Sequence, residues 1–143
     1  MLRLFLDANI LFLAGYSATS PVHDLRALAA AGDCELLSSE YAFEETRRNL
    51  ALKSSDGSVE QFEATTGLII RVQEASGVAL GQAQSVNLSD ASDIPILAAA
   101  LQAGADALVT GDRRAFGSFF GQRIGTLRVL RLRDALTEIL VDR

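Results

Sequence analysis

Apolar residues fall into two rhythms along this chain. Short unbroken runs mark buried strands. Leu2–Leu6 is the first, Glu35–Ser38 the second, Val78-Ala79-Leu80 the third, Ala107–Thr110 the fourth and Thr126–Leu130 the fifth. Between them, apolar residues recur at helical spacing. Ile10–Tyr16 reads as a short helix or turn. Ser20 as N-cap and Pro21 at the first helical position open a helix to Ala31, which Gly32 ends. Ser39 caps a helix through Lys53, and Ser54–Ser58 is a turn cluster. Val59–Ser76 reads as a helix closed by Gly77, and Gly81–Asn87 as a loop. In Asp90–Gln102, Ile94, Leu97, Ala98 and Leu101 lie on one helical face, with Pro95 confined to the first turn and Gly104 as C-cap. Arg133–Val141 is the last helix. Strands alternating with helices predict an α/β fold: a three-layer α/β/α sandwich around a mainly parallel sheet of roughly five strands, in one domain without repeat or linker.

Composition narrows the chemistry. Among 143 residues Cys34 is the only cysteine and His23 the only histidine, so there is neither an internal disulfide nor a Cys/His zinc set, and a reducing cytoplasm is expected. The first residues form a strand pattern rather than a basic segment followed by an apolar one, so no secretory leader is expected. No apolar run approaches the ~20 residues of a membrane helix. The net charge of −5 argues against a general nucleic-acid coat, but it is unevenly spread. Residues 1–112 hold 6 basic and 15 acidic side chains, a balance of −9; residues 113–143 hold 7 and 3, a balance of +4. The basic groups of this last part are arginines, suited to bidentate phosphate contacts. Arg113 and Arg114, directly after Asp112, are the candidates for meeting a substrate phosphate.

Four acids stand where buried strands run out or on the helices just beyond: Asp7, Glu45, Asp93 and Asp112. Parallel α/β sheets place their sites at the carboxyl ends of strands. Carboxylates gathered there repel one another, and a bound cation relieves the repulsion. Hard ions such as Mg²⁺ or Mn²⁺ prefer oxygen ligands, so the pattern points to metal-dependent chemistry on phosphate. Each acid also has an ordinary structural use. Asp7 and Asp90 are good helix caps, and Gly111-Asp112 is ordinary turn chemistry. Glu44 lies four residues before Arg48, as an exposed pair would, whereas Glu45 shares the ridge of Ala42, Thr46 and Asn49 at the border of the apolar stripe. Glu45 is therefore the chosen cleft residue. Asn9, Thr110 and Asp90 are supporting polar groups.

The ordered set resembles a PIN domain. The matching segments are Leu6-Asp7-Ala8-Asn9-Ile10-Leu11, Ser39 through Glu45 to Leu50, Asp90-Ala91-Ser92-Asp93-Ile94-Pro95-Ile96-Leu97-Ala98-Ala99-Ala100, and Ala103 through Leu108-Val109-Thr110-Gly111-Asp112 with Phe116. The resemblance implies a PIN-like fold and a Mg²⁺- or Mn²⁺-dependent ribonuclease most like VapC-type toxins. Asp7, Glu45, Asp93 and Asp112 match the family's acidic quartet. Asp7, Asp93 and Asp112 would hold one or two metals, with Glu45 helping to position the second metal or the attacking water. Asn9 and Thr110 match its supporting positions. The resemblance also implies an RNA substrate, homodimers and a cognate antitoxin. The alternative is a non-catalytic PIN-like module that binds RNA or protein. A phosphoaspartyl phosphatase or a receiver domain would require a lysine near a later strand, and Lys53, the only lysine, lies in a helix. A dinucleotide-binding fold would require Gly-x-Gly-x-x-Gly where Asp7-Ala8-Asn9-Ile10 stands.

Overall fold

The computed structural model describes residues 1–53 and 58–143. Its centre is β1 (Leu2–Leu6), whose Leu4, Phe5 and Leu6 are almost wholly buried. On one side β1 pairs in parallel with β2 (Cys34–Ser39), Leu4 opposite Leu36. On the other it pairs in parallel with β4 (Ala107–Val109), Phe5 opposite Leu108. An outer strand, β3 (Ile70–Val72), joins β2 in parallel. Beyond β4 lies β6 (Leu127–Leu130), and β5 (Arg123–Ile124) closes the edge antiparallel to it. The order is β3-β2-β1-β4-β6-β5. Among the described residues the sheet has six strands; the edge strand β5 is two residues long and leaves no periodic signature in the sequence.

The strand order turns at β1, whose neighbours are β2 on one side and β4 on the other. Such switch points open a crevice at the carboxyl ends. Helix α1 (Ala8–Tyr16) leaves β1 there and packs on α3 (Glu40–Lys53) and α4 (Ser58–Thr65). α2 (Val22–Ala30) and α8 (Leu132–Asp142) contact each other; α2 lies against β2, and α8 against β1 and β6. α6 (Ile94–Gln102) packs against β2 and β4 and is joined by α5 (Gly77–Gln84). Its Ala98, Ala99 and Ala100 are fully buried, so a run of small side chains brings this helix close to its neighbours. α7 (Arg113–Phe116) is a short turn after β4. No described helix is long and apolar enough to cross a membrane.

Local chemistry explains most boundaries. The Ser39 hydroxyl accepts from the Ala42 N–H at 3.2 Å and caps α3 as expected. In contrast, α2 starts one residue later than expected: Pro21 is its N-cap, and Ser20, one residue before it, accepts from the Val22 N–H at 3.2 Å in a turn. Gly104 ends α6 with φ 66°, a conformation glycine adopts without strain. His23 is used structurally: its Nε2 lies 2.6 Å from the Ser17 carbonyl. Burial first, and Asp33 next, pushes the buried Cys34 thiol up to about 11, leaving it unreactive.

Several elements differ from the sequence reading. The helix expected over Val59–Ser76 stops at Thr65, because the Thr65 and Thr66 hydroxyls donate back to the Gln61 and Phe62 carbonyls and Gly67 follows. The β-branched Ile69, Ile70 and Val72 then suit the strand that forms there. Conversely, Val78-Ala79-Leu80 lies in α5, not in a strand, and α5 takes up Gly81–Gln84 of the expected loop; Gly77 opens this helix rather than closing one. A three-residue apolar run cannot by itself separate strand from helix. The expected Asp90–Gln102 helix begins as a 3₁₀ turn, Ala91–Asp93, before α6. Of the turn cluster Ser54–Ser58, residues 54–57 lie outside the described residues, and Ser58 begins α4.

Candidate active site

The sheet ladder runs one step past β1, with the Asp7 N–H donating to the Val109 carbonyl at 3.0 Å, and the Thr110 N–H donates to Leu130 at 3.0 Å. Asp7 and Thr110 therefore stand side by side at the switch point. Their side chains lock together. The Thr110 hydroxyl donates to Asp7 Oδ2 at 2.7 Å, the Ala8 N–H donates to Oδ1 at 2.7 Å, and Asn9 Nδ2 reaches Oδ2 at 3.3 Å. Asn9 also accepts from the Gly111 N–H at 3.0 Å, and Thr110 Oγ1 accepts from the Asp112 N–H at 3.1 Å. One network thus joins the loop after β1 to the loop after β4. Asp112 also caps α7, accepting from the Ala115 N–H at 3.0 Å.

Asp7, Glu45, Asp93 and Asp112 line one cleft of about 230 Å³, together with Ala8, Asn9, Phe12, Asn49 and Lys53. Asp93 reaches it from the turn before α6 and is 8% exposed. Its carboxyl is pushed up to about 7, first by burial and then by the charges of Asp7, Asp112, Asp90 and Glu45. Burial likewise raises Asp7, against the pull of the Thr110 and Ala8 hydrogen bonds and with added repulsion from Asp112. Glu45 is raised by burial and by Asp7, while Arg48 pulls the other way; its buried Oε2 has no hydrogen-bond partner among the described residues. Glu44, in contrast, is exposed and paired with Arg47 at 2.7 Å. Asp90 lies outside the cleft lining: it accepts from the Ser92 N–H at 2.9 Å, which holds its carboxyl below the usual range, with Arg114 adding to the effect.

A PIN domain family model matches residues 3–114. The chain belongs to the PIN domain family. Solved structures of the same fold include VapBC2 from Rickettsia felis bound to a DNA fragment from its promoter, with a TM-score of 0.67 at 14% identity, covering 91% of this chain and 98% of that one. Another is VapC20 of Mycobacterium tuberculosis, a sarcin–ricin-loop-cleaving toxin, with a TM-score of 0.56 at 13% identity, covering 82% and 95%. A third is FitAcB from Neisseria gonorrhoeae, with a TM-score of 0.55 at 16% identity, covering 91% and 98%. No curated protein matches the chain in sequence.

Within this PIN fold the four acids share a cleft but do not form a ready-made ligand cage. Among the described residues, no three His, Cys, Asp or Glu side chains are grouped so as to hold an ion together. The donor set nevertheless suits a hard divalent cation: oxygen ligands, raised carboxyls on Asp7, Glu45 and Asp93, and a buried Glu45 oxygen without a partner among the described residues. The arginines after Asp112 diverge. Arg114 lies on the Asp90 side, whereas Arg113 lines a different cavity. Phe12, Asn49 and Lys53 are cleft residues that the sequence reading did not select. Their signal was periodic: Ala8 and Phe12 are one helical step apart, and Glu45, Asn49 and Lys53 repeat at intervals of four on one face.

Proposed function

We propose that the protein is a Mg²⁺- or Mn²⁺-dependent endoribonuclease, the toxin of a toxin–antitoxin pair, hydrolysing RNA phosphodiester bonds in the cytoplasm. The observation that carries this reading is the shared cleft, where four acids meet at the switch point of the sheet and burial, with the neighbouring charges, pushes Asp93 up to about 7. Asp7, Asp93 and Asp112 would hold the ion. A bound divalent cation acidifies water, orients it and neutralises charge developing on phosphate oxygens. Thr110 and Asn9 fix the Asp7 carboxylate, leaving its orientation set before substrate arrives. Glu45 Oε2, without a donor among the described residues, would accept from the attacking water or complete a second ion's ligands. Arg113 and Arg114 are the phosphate contacts. Membership of the PIN family and the fold shared with a toxin that cleaves the sarcin–ricin loop support RNA as substrate. The fold shared with VapBC2 and FitAcB supports an antitoxin partner, and a homodimer is part of the same proposal.

A non-catalytic PIN module that binds RNA or protein is the second reading, favoured by the lack of three grouped ligands among the described residues. Labelled single-stranded RNA incubated with Mn²⁺, Mg²⁺ or EDTA separates the two. A nuclease cleaves with either ion and stops with EDTA. Asp93→Asn and Asp112→Asn should each lose more than roughly 100-fold, beyond the usual effect of a lost supporting group. Both variants should fold: Asp93 accepts no hydrogen bond from another described residue, and asparagine still caps α7. Retained cleavage in both variants, or cleavage indifferent to EDTA, refutes the assignment.

A further inference from the structure

A second cavity, of about 420 Å³, opens on the same carboxyl edge of the sheet. It is lined by Thr110 and Gly111 after β4, by Arg113, and by Arg131 and Arg133 after β6. Asp112, between Gly111 and Arg113, lines the acidic cleft, so one loop serves both cavities from opposite sides. Three strand ends thus set out a sequence of functions: acids at β1 and β4, arginines at β4 and β6. The cavity also has an apolar wall of Ile10, Leu13, Phe120 and Leu132, and the Arg131 guanidinium lies 5.7 Å from the Phe120 ring centroid. Among the described residues Arg113 and Arg133 have no acidic partner within ion-pair distance, while Arg131 meets Asp134 at 3.3 Å. Arg131 is also the cap of α8, whose first-turn N–H groups have no side-chain cap. The cavity's size lies within the roughly 300–1,000 Å³ of small-ligand pockets.

Cationic forks, free helix N–H groups and one aromatic wall together suit a nucleotide: phosphate on the arginines, base or ribose against Phe120. We propose that this cavity binds the RNA nucleotide neighbouring the scissile phosphate, and that Arg131 and Arg133, with Arg113, position the strand across Asp112 into the acidic cleft. The inference rests on the ribonuclease reading and adds a subsite to it. It also gives a use to three of the arginines that follow Asp112, since the strand is held beside the acids rather than over them.

The test uses the full chain, Mn²⁺ and a short single-stranded RNA labelled at one end. The Arg131→Gln/Arg133→Gln variant should raise KM roughly tenfold and leave kcat within about twofold. In an Asp112→Asn background, where RNA is bound but not cut, the same pair should flatten the slope of log Kd against log salt by about 1 per arginine. Phe120→Leu should weaken binding of the intact RNA but not of one carrying an abasic site at the neighbouring nucleotide. Unchanged KM and unchanged salt slope in an actively cleaving protein overturn the subsite alone. A wild-type protein that binds and cuts no RNA overturns the ribonuclease reading with it. A change in oligomeric state without a change in RNA affinity assigns the cavity to protein contact instead, and also overturns the proposal. Should the double variant fail to fold, Arg133→Gln, at an exposed position, carries the same measurements.

Discussion

The Thr110 hydroxyl donates to Asp7 and accepts from the Asp112 N–H, so a single oxygen ties two of the four acids together. Thr110→Val keeps the shape and removes that oxygen. The buried Asp7 carboxylate then loses its shortest side-chain donor, and its charged form becomes harder to hold. Mn²⁺ affinity, read by titration calorimetry, should fall roughly 10- to 100-fold, as for other groups that orient a ligand. Thr110→Ser should restore it. Equal loss in both variants would mean that the methyl group, not the hydroxyl, matters. At this scale the sequence was informative where residue type and strand position coincided, as at Asp7 and Asp112. It separated Glu45 from Glu44 because the apolar stripe of Phe43 and Leu50 fixes which face of α3 is inward. It passed over Lys53 because a lysine in a helix carries no mark of the cavity at its tip.

Among the elements, α1 has the tightest constraint, because it leaves the switch point and carries Asn9 and Phe12 to the site. Gly15 near its end touches α3 and α4 so closely that a Cβ there would lie 2.7 Å from the Ser58 carbonyl oxygen, 2.8 Å from Leu50 and 2.9 Å from Phe62. Backbone and packed core cannot yield as a flexible side chain would. Gly15→Ala should therefore destabilise the protein by roughly 1–3 kcal/mol, despite alanine's better helix propensity. That corresponds to a fall in Tm of roughly 3–12 °C for a chain of this size, measurable by circular dichroism. An unchanged Tm would show that α1 slides without cost. The long periodic helices and the central strands were legible because each buries one continuous face. The stretch from Thr66 to Gln84 was not, since β3 is three residues long at the sheet's border and α5 buries only Ala83 completely. Where little area is buried, little pattern is imposed.

For the molecule as a whole, the acidic cleft sets a cost that depends on pH. In the unfolded chain Asp93 ionises near its ordinary 3.8, and in the folded chain near 7. Below about pH 4 both states hold the proton and no cost arises. As pH rises from there toward 7, the unfolded chain releases its proton and the folded one does not, so stability falls; above 7 the full cost stands. It is on the order of 2–4 kcal/mol at the upper end, given the size of the shift. Asp7 and Glu45 are raised in the same direction, chiefly by burial, and add to this cost. The metal-free protein should thus melt lower at about pH 8 than at about pH 5. On the proposed metal-dependent reading Mn²⁺ would bind the deprotonated acids, so its stabilising effect should have the opposite dependence, large at about pH 8 and small at about pH 5; an ion at 100 times its Kd adds ~2.7 kcal/mol. Asp93→Asn should raise the metal-free Tm at the higher pH and abolish most of the Mn²⁺ response. Thermal melts of both proteins with EDTA or Mn²⁺ at the two pH values read all of these effects. A Mn²⁺ shift equal at both pH values, or intact in Asp93→Asn, would mean that the ion binds elsewhere and that the repulsion in the cleft serves no metal.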